Sequence, residues 1–198
     1  MGFGTICYFC DYQSKARFCD ACYCKLKPRF KLLPNLPNIS LAGYFYDYHD
    51  AFQSLIKNVK FQGNYRLADY FARHIFLPDI PSLFFETTGF VCVPSHWWRR
   101  MWRGRAHIPR MFQYVLANNH DYSPFLKRVL YSRPSSQLSR QQRLQLPSRF
   151  QYTGPPIDSV TIIDDICTTG ATLSDVACQF KAIGVSTIQA LVLAHRSG

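Results

Sequence analysis

Residues 160–173 constrain the fold more strongly than any other part of the chain. They begin with a hydrophobic strand pattern at 160–163, continue through two acids and a Thr-Thr-Gly-Ala-Thr turn, and lead into helical spacing at 173–183. Gly184 is predicted to end the helix, and a second strand is predicted at 187–193. Strand, helix and strand in this order predict a βαβ unit, and therefore an α/β fold with a parallel sheet.

The turn between this strand and helix carries groups that suit a phosphorylated sugar. Backbone N–H groups of residues 167–172, with the helix N-terminus behind them, can surround a phosphate, and a glycine permits close approach. Threonine hydroxyls can donate to the phosphate oxygens, and the two acids can accept from a ribose diol or help to hold hydrated magnesium. The structural alternative is an ordinary strand-to-helix turn capped by Asp and Thr, but an acid pair followed by Thr-Thr-Gly-x-Thr is much rarer. We therefore predict a phosphate-binding loop.

Cysteines are concentrated at the N-terminus, where five of the eight lie within the first 24 residues. This uneven distribution argues against a disulfide framework, and a unit this small needs a metal to fold. The spacing C-x2-C-x8-C-x2-C can bring four thiolates to the corners of a tetrahedron and predicts structural zinc on Cys7, Cys10, Cys19 and Cys22. Two alternatives remain open: Cys24 could replace Cys22 as the fourth ligand, and the pairs could serve iron–sulfur or redox chemistry.

Positive charge is concentrated between residues 99 and 149, which hold ten arginines and one lysine but a single acid, Asp121. Such a region suits a polyanion or a phosphorylated ligand. Within it, residues 96–105 mix tryptophans, which can stack on unpaired bases, with arginines, which can follow phosphates. The alternatives are a solvated basic face, or tryptophans in the core with arginines paired to acids or pyrophosphate. The candidate nucleic-acid contacts are Trp97, Trp98, Arg99, Arg100, Trp102, Arg103 and Arg105.

The remaining patterns divide the chain into a cysteine knuckle at 1–26, an irregular proline-containing linker at 27–40, and an α/β domain at 41–198. No apolar run approaches the roughly 20 residues of a membrane span, so we expect a soluble cytoplasmic protein without a membrane partner. Residues 132–156 are polar, poorly periodic and predicted to be mobile. Further strands are predicted at 41–48 and 89–93, and further helices at 50–60, 65–76, 105–118 and 122–131.

The stretch from Ile162 to Thr172, IIDDICTTGAT, resembles the signature of type I phosphoribosyltransferases. The resemblance implies that the strand-end acids contact the ribose hydroxyls of phosphoribosyl pyrophosphate and that the turn binds its 5′-phosphate. By this resemblance the ligand-binding residues are Asp164, Asp165, Thr168, Thr169, Gly170, Ala171 and Thr172. The same resemblance implies that Ser95, which follows the strand at 89–93, lies in the pyrophosphate loop, with magnesium and nearby arginines neutralising the leaving group.

A zinc knuckle followed by a phosphoribosyltransferase-like domain is similar to the layout of the ComF family, which includes proteins required for natural transformation. The resemblance covers nearly the whole chain. In that family the Arg-Gly element continues as Phe-Asn-Gln, whereas Arg103-Gly104 is followed here by Arg105-Ala106-His107. The similar segments are the strand 44–48, LIKNVKFQG at 55–63, VCVPS at 91–95, WRG at 102–104, QLSRQQR at 137–143 and the final βαβ unit.

The resemblance implies a cytoplasmic competence protein that handles incoming single-stranded DNA and whose phosphate loop retains ligand binding. One alternative is an active phosphoribosyltransferase that uses magnesium and phosphoribosyl pyrophosphate with an unknown acceptor. Another is an adaptor whose knuckle docks a DNA-translocating helicase. No residue stands out as the reader of an acceptor, so the sequence predicts no catalytic residue.

Overall fold

A computed structural model describes residues 5–7, 10–15, 18–25, 29–48, 52–53, 56–57, 68–69, 72–73, 80–94, 107–129 and 149–196. The strands are β1 (Thr5–Ile6), β2 (Gln13–Ser14), β3 (Lys31–Leu32), β4 (Leu41–Asp47), β5 (Gly89–Cys92), β6 (Leu126–Arg128), β7 (Phe150–Tyr152), β8 (Ser159–Cys167) and β9 (Thr187–His195). The α-helices are α1 (Asp20–Lys25), α2 (His107–Met111), α3 (Gln113–Ala117) and α4 (Ala171–Ala182). Short 3-10 turns lie at Ser82–Phe85 and Ser123–Phe125.

A five-stranded, mostly parallel sheet organises the α/β part, in the order β3-β4-β9-β8-β5. β4, β9, β8 and β5 are mutually parallel, whereas β3 adds an antiparallel edge. β8, α4 and β9 form the predicted βαβ unit, which is confirmed. The carboxyl ends of the four parallel strands therefore meet at one edge of the sheet.

Hydrophobic cores cover both faces of the sheet, because alternate residues of each strand point to opposite sides. In β8, Val160 and Ile162 face the core that contains Leu173, Val176 and Phe180 of α4. Ile163 faces the opposite core, which contains the buried residues of α2 and α3. A sheet buried on both faces explains why its strands are nearly continuous apolar runs.

Strand β8 is longer than predicted, and this changes where the acid pair lies. The polarity of Asp164 and Asp165 predicts that a loop begins there. The ladder with β9 instead continues from Asp164, opposite Val192, to Cys167, opposite His195. Backbone pairing with a neighbour decides the end of a strand, and side-chain polarity does not prevent it at a sheet edge. The acids therefore lie on the last residues of a strand.

The helix predicted at 122–131 is wrong. The chain instead forms the 3-10 turn Ser123–Phe125 and then β6, which pairs antiparallel with β7. Pro124 lies in the first turn of that 3-10 segment, and the extended conformation of β6 depends on a partner strand that follows it after a long stretch of sequence. Three residues are too few for an alternating pattern to show in the sequence.

The other predicted helices are described only in part. At 105–118 the structure has two short helices, α2 and α3, separated at Phe112. Within the predicted helices 50–60 and 65–76, the described residues 52–53, 56–57 and 68–69 are helical and 72–73 form π-helix. Most of 132–156 lies outside the described residues, although 150–152 of that stretch form β7.

The segment predicted as a linker, 27–40, contributes to the sheet. β3 pairs with β4, with Lys31 opposite Tyr44, and Ser40 donates its backbone N–H to the Ile188 carbonyl at 2.8 Å. Leu33 is buried in the same core as α4. Among the described residues, no helix is both long and apolar enough to cross a membrane.

Candidate functional site

The acid pair lies at the carboxyl edge of the sheet, on β8, which is an inner strand between β9 and β5. Asp164 and Asp165 are both half-buried. The Asp165 backbone N–H donates to Asp164 Oδ1 at 2.8 Å, which orients the first carboxylate along the strand end. This edge is where parallel α/β sheets bind their ligands, because the strand ends and the following loops form a crevice there.

The loop that follows is the one predicted to bind phosphate, and it leads directly into α4. Thr168 and Thr169 are exposed, whereas Thr172 is half-buried in the first turn of the helix. The Ala171 N–H donates to Thr169 Oγ1 at 3.4 Å, and the Ser174 N–H donates to the Gly170 carbonyl at 2.9 Å, which starts the helix. Exposed hydroxyls therefore lie beside the positive end of a three-turn helix, an arrangement that attracts anions.

Gly170 is required at the start of α4 for two structural reasons. Its φ of 73° lies in the left-handed region, which glycine adopts without strain. A Cβ at this position would overlap the Cδ2 methyl of Leu36, which packs against the loop from the 27–40 segment. The glycine of the signature is thus needed by the fold, in addition to any part in ligand approach.

The base of the loop is held by the end of β9. The Cys167 carbonyl accepts the Arg196 backbone N–H at 2.9 Å and lies 3.1 Å from His195 Nδ1. Cys167 itself is buried, and this burial raises the pKa of its thiol, so it stays protonated at neutral pH. Cys167 belongs to the hydrophobic core that contains Leu173 and Val176 of α4.

The predicted basic and aromatic segment follows β5, the neighbour of β8. The Val93 N–H donates to the Ile163 carbonyl at 2.8 Å, so the described chain reaches Pro94 at the same edge as the acid pair. Sheet topology therefore brings the residue before Ser95 next to Asp164. The candidate contacts that lie outside the described residues are Ser95, Trp97, Trp98, Arg99, Arg100, Trp102, Arg103 and Arg105.

Two arginines of the basic region form ion pairs within the fold. Arg110 contacts Asp69 through two hydrogen bonds, of 2.8 Å from Nε and 2.6 Å from Nη2, and lowers the pKa of that carboxyl. Arg149 contacts Asp175 at 2.6 Å. These acids lie far from the arginines in sequence, so a count of charges within the basic region overstates the cations available to a ligand.

The four predicted zinc ligands are brought together in the knuckle. The sulfur atoms of Cys7, Cys10, Cys19 and Cys22 all lie within 4.8 Å of one another. The Sγ atoms of Cys10 and Cys19 are 3.7 Å apart, which matches the edge of about 3.8 Å expected for a ZnS4 tetrahedron with Zn–S bonds of about 2.3 Å. The cluster can therefore hold a metal such as zinc.

Local structure explains how the two cysteine pairs converge. β1 and β2 form a hairpin whose turn is closed by the Cys7 N–H donating to the Tyr12 carbonyl at 2.8 Å. The second pair lies at the start of α1, where Cys19 N–H points to Cys7 Sγ at 3.4 Å. Hairpin and helix start thus each supply two sulfur atoms, and the eight-residue spacer is long enough to join them.

Cys22 is the fourth member of the cluster, and Cys24 is not. Cys22 is buried among the sulfur atoms, whereas Cys24 on the same helix is exposed. Burial raises the pKa of the Cys22 thiol strongly, so without a cation its neutral form is favoured. A metal would have to displace the proton, and binding is expected to weaken as the pH falls.

The knuckle packs against the α/β part. Cys7, Phe18 and Cys22 belong to the same hydrophobic cluster as Phe45 of β4 and Phe90 of β5. Metal binding in the knuckle is therefore linked to the packing of one face of the sheet.

Several residues that shape this site could not be predicted from the sequence. Leu36 fills the space beside Gly170, His195 lies 3.1 Å from the Cys167 carbonyl, and the Arg149–Asp175 pair fastens α4. Each contact joins positions far apart in the chain, and none of these residue types is unusual by itself.

No protein-family model matches this sequence, and comparison with curated proteins finds no match.

Proposed function

We propose that this chain is a ComF-like protein: a zinc knuckle on a type I phosphoribosyltransferase-like domain that binds a phosphoribosyl-pyrophosphate-type ligand and handles single-stranded DNA. One observation carries the ligand part of this proposal. Asp164 and Asp165 lie among the last four residues of β8, an inner strand of the sheet, and the exposed hydroxyls of Thr168 and Thr169 follow this strand just before α4. The carboxylates suit ribose hydroxyls or hydrated magnesium, and the helix start suits a phosphate.

The nucleic-acid part rests on the composition of residues 96–105 and on the position of Pro94, which precedes this segment in the chain. Pro94, the last described residue before this segment, is at the edge that carries the acid pair. Transferase turnover is the second candidate, favoured by the acid pair, which suits a magnesium-bound ribose.

The first test is calorimetric titration with phosphoribosyl pyrophosphate in the presence of magnesium. We expect binding by the wild-type chain and a loss of roughly 10- to 100-fold in affinity for the double variant Asp164→Asn/Asp165→Asn, because hydrogen bonds to charged groups are worth about 1.5–3 kcal/mol. Pyrophosphate release after candidate amine or nucleobase acceptors are added to the same samples would report turnover.

Asp158→Asn is the matched control for this titration. Asp158 precedes β8 at the opposite end of the strand and is exposed, so this substitution removes one negative charge, against two in the double variant, without touching the loop. Equal affinity of the wild type and the double variant, with both folded, would contradict ligand binding at the acid pair.

The second test measures binding of a fluorescently labelled 20-nucleotide oligo-dT at several salt concentrations. We expect the affinity to fall with salt, with a log–log slope of about −0.7 for each phosphate neutralised, and to drop roughly three- to tenfold in Arg99→Gln/Arg100→Gln. Lys181→Gln, at the end of α4 remote from the loop, removes one positive charge elsewhere and should change the affinity much less. A flat salt slope, or equal losses in both variants, would count against a role in DNA handling.

A further inference from the structure

The β6–β7 hairpin lies along α4 and contacts it at two places. The rings of Tyr152 and Phe180 are 5.2 Å apart, and Arg149, just before β7, contacts Asp175. Arg149 precedes Tyr152, and Asp175 precedes Phe180, so the strand and the helix run in the same direction. The Arg149 end of the hairpin is therefore the end beside the start of α4, where the predicted phosphate loop lies.

Arg149 contacts the Asp175 carboxylate with both its side chain and its backbone. Its Nε donates to Oδ2 at 2.6 Å, and its backbone N–H lies 3.2 Å from Oδ1. The Asp175 side chain is 17% exposed, compared with 43% for Arg149. A carboxylate so far withdrawn from water is stabilised by the cation and donor beside it.

Asp175 is close enough to the start of α4 to influence an anion there. It lies five residues after Gly170, which at 1.5 Å per residue is about 7 Å along the helix axis. A negative charge at this distance opposes a phosphate at the helix start, whereas an adjacent guanidinium cancels that repulsion.

We propose that Arg149 is a positioning residue for phosphate binding, which acts by neutralising Asp175 and so keeps the electric field at the loop favourable to an anion. This inference rests on the proposed function, since it concerns the same loop. It gives a role to Arg149, which contacts Asp175 in the second turn of α4 and comes from outside the strand, turn and helix at 160–173.

The test is a double-mutant cycle that uses ribose 5-phosphate as the probe, with dissociation constants measured by calorimetry at low salt. We expect Arg149→Gln to weaken binding roughly three- to tenfold, because it removes the guanidinium that contacts the Asp175 carboxylate. Arg149→Gln/Asp175→Asn should recover affinity to within about twofold of the wild type, and Arg149→Lys should retain most of it. The Arg149→Gln deficit should shrink as salt is added, since charge screening reduces it.

The salt dependence separates the electrostatic role from a structural one, because replacing both partners can also relieve a structural defect. A purely structural pair would give an Arg149→Gln deficit that does not shrink as salt is added. If Arg149→Gln does not fold, Asp175→Asn decides: we expect it to bind roughly two- to threefold tighter than the wild type, and unchanged or weaker binding contradicts the inference. If the wild type binds no ribose 5-phosphate, the proposed function fails and this inference with it; if it binds and Arg149→Gln binds equally well, only this inference fails.

Discussion

Replacing Cys22 by serine is expected to abolish stoichiometric zinc binding and to lower the thermal stability of the whole chain. Structural zinc contributes an apparent 10–16 kcal/mol to the folding of small zinc modules, and it depends on all four ligands. Because Cys7, Phe18 and Cys22 share a hydrophobic cluster with Phe45, loss of the knuckle would also uncover one face of the sheet. Metal analysis and thermal denaturation of the purified variant measure both effects.

Cys24→Ser is the matched control for this experiment. Cys24 is on the same helix as Cys22 but is exposed and outside the sulfur cluster, so this variant should keep about one zinc per chain and an unchanged melting temperature. A strong chelator added to the wild type should reproduce the Cys22→Ser result. Equal zinc content in the two serine variants would contradict the assignment of Cys22 as a ligand.

Replacing Gly170 by alanine is expected to lower the free energy of unfolding by roughly 2–5 kcal/mol. The left-handed backbone conformation at φ 73° costs a residue with a Cβ about 1–2 kcal/mol, and overpacking against Leu36 adds about 1–3 kcal/mol. Urea denaturation of the ligand-free chain gives this difference directly.

Gly184→Ala separates the two contributions. Gly184 also has a positive φ, of 90°, but a Cβ there would meet no atom within 4 Å. Its substitution should therefore cost only the conformational part, about 1–2 kcal/mol. The double variant Leu36→Ala/Gly170→Ala should lose less free energy of unfolding than the two single variants lose together, because the smaller side chain at position 36 removes the overlap. Equal losses for Gly170→Ala and Gly184→Ala would show that the contact with Leu36 is unimportant.

Features that depend on neighbouring residues could be predicted from the sequence. The βαβ unit follows from apolar runs and a helical pattern interrupted by Gly184, and β8, α4 and β9 confirm it. The sulfur cluster likewise follows from cysteine spacing, because its four ligands come from a short stretch whose turn geometry is local. The ComF-like identity and the ligands of the loop remain predictions.

Features that depend on a distant partner could not be predicted. The helix predicted at 122–131 is wrong, because β6 pairs with a strand that lies beyond a long polar stretch and leaves no mark on the local pattern. The polarity of Asp164 and Asp165 predicts too early an end for β8, because Asp164, Ile166 and Cys167 still pair with β9. In both cases hydrogen bonding to another strand outweighed the local pattern.

The sequence by itself determined the order of strand, turn and helix, and the set of cysteines from which the sulfur cluster is drawn. Tertiary structure alone decided that Cys22 rather than Cys24 completes that set, that Leu36 packs on Gly170, and that Arg149 pairs with Asp175. The physical reason is the range of the interactions. Periodicity and spacing are expressed within a few residues, whereas packing and charge pairing join residues that only the folded chain brings into contact.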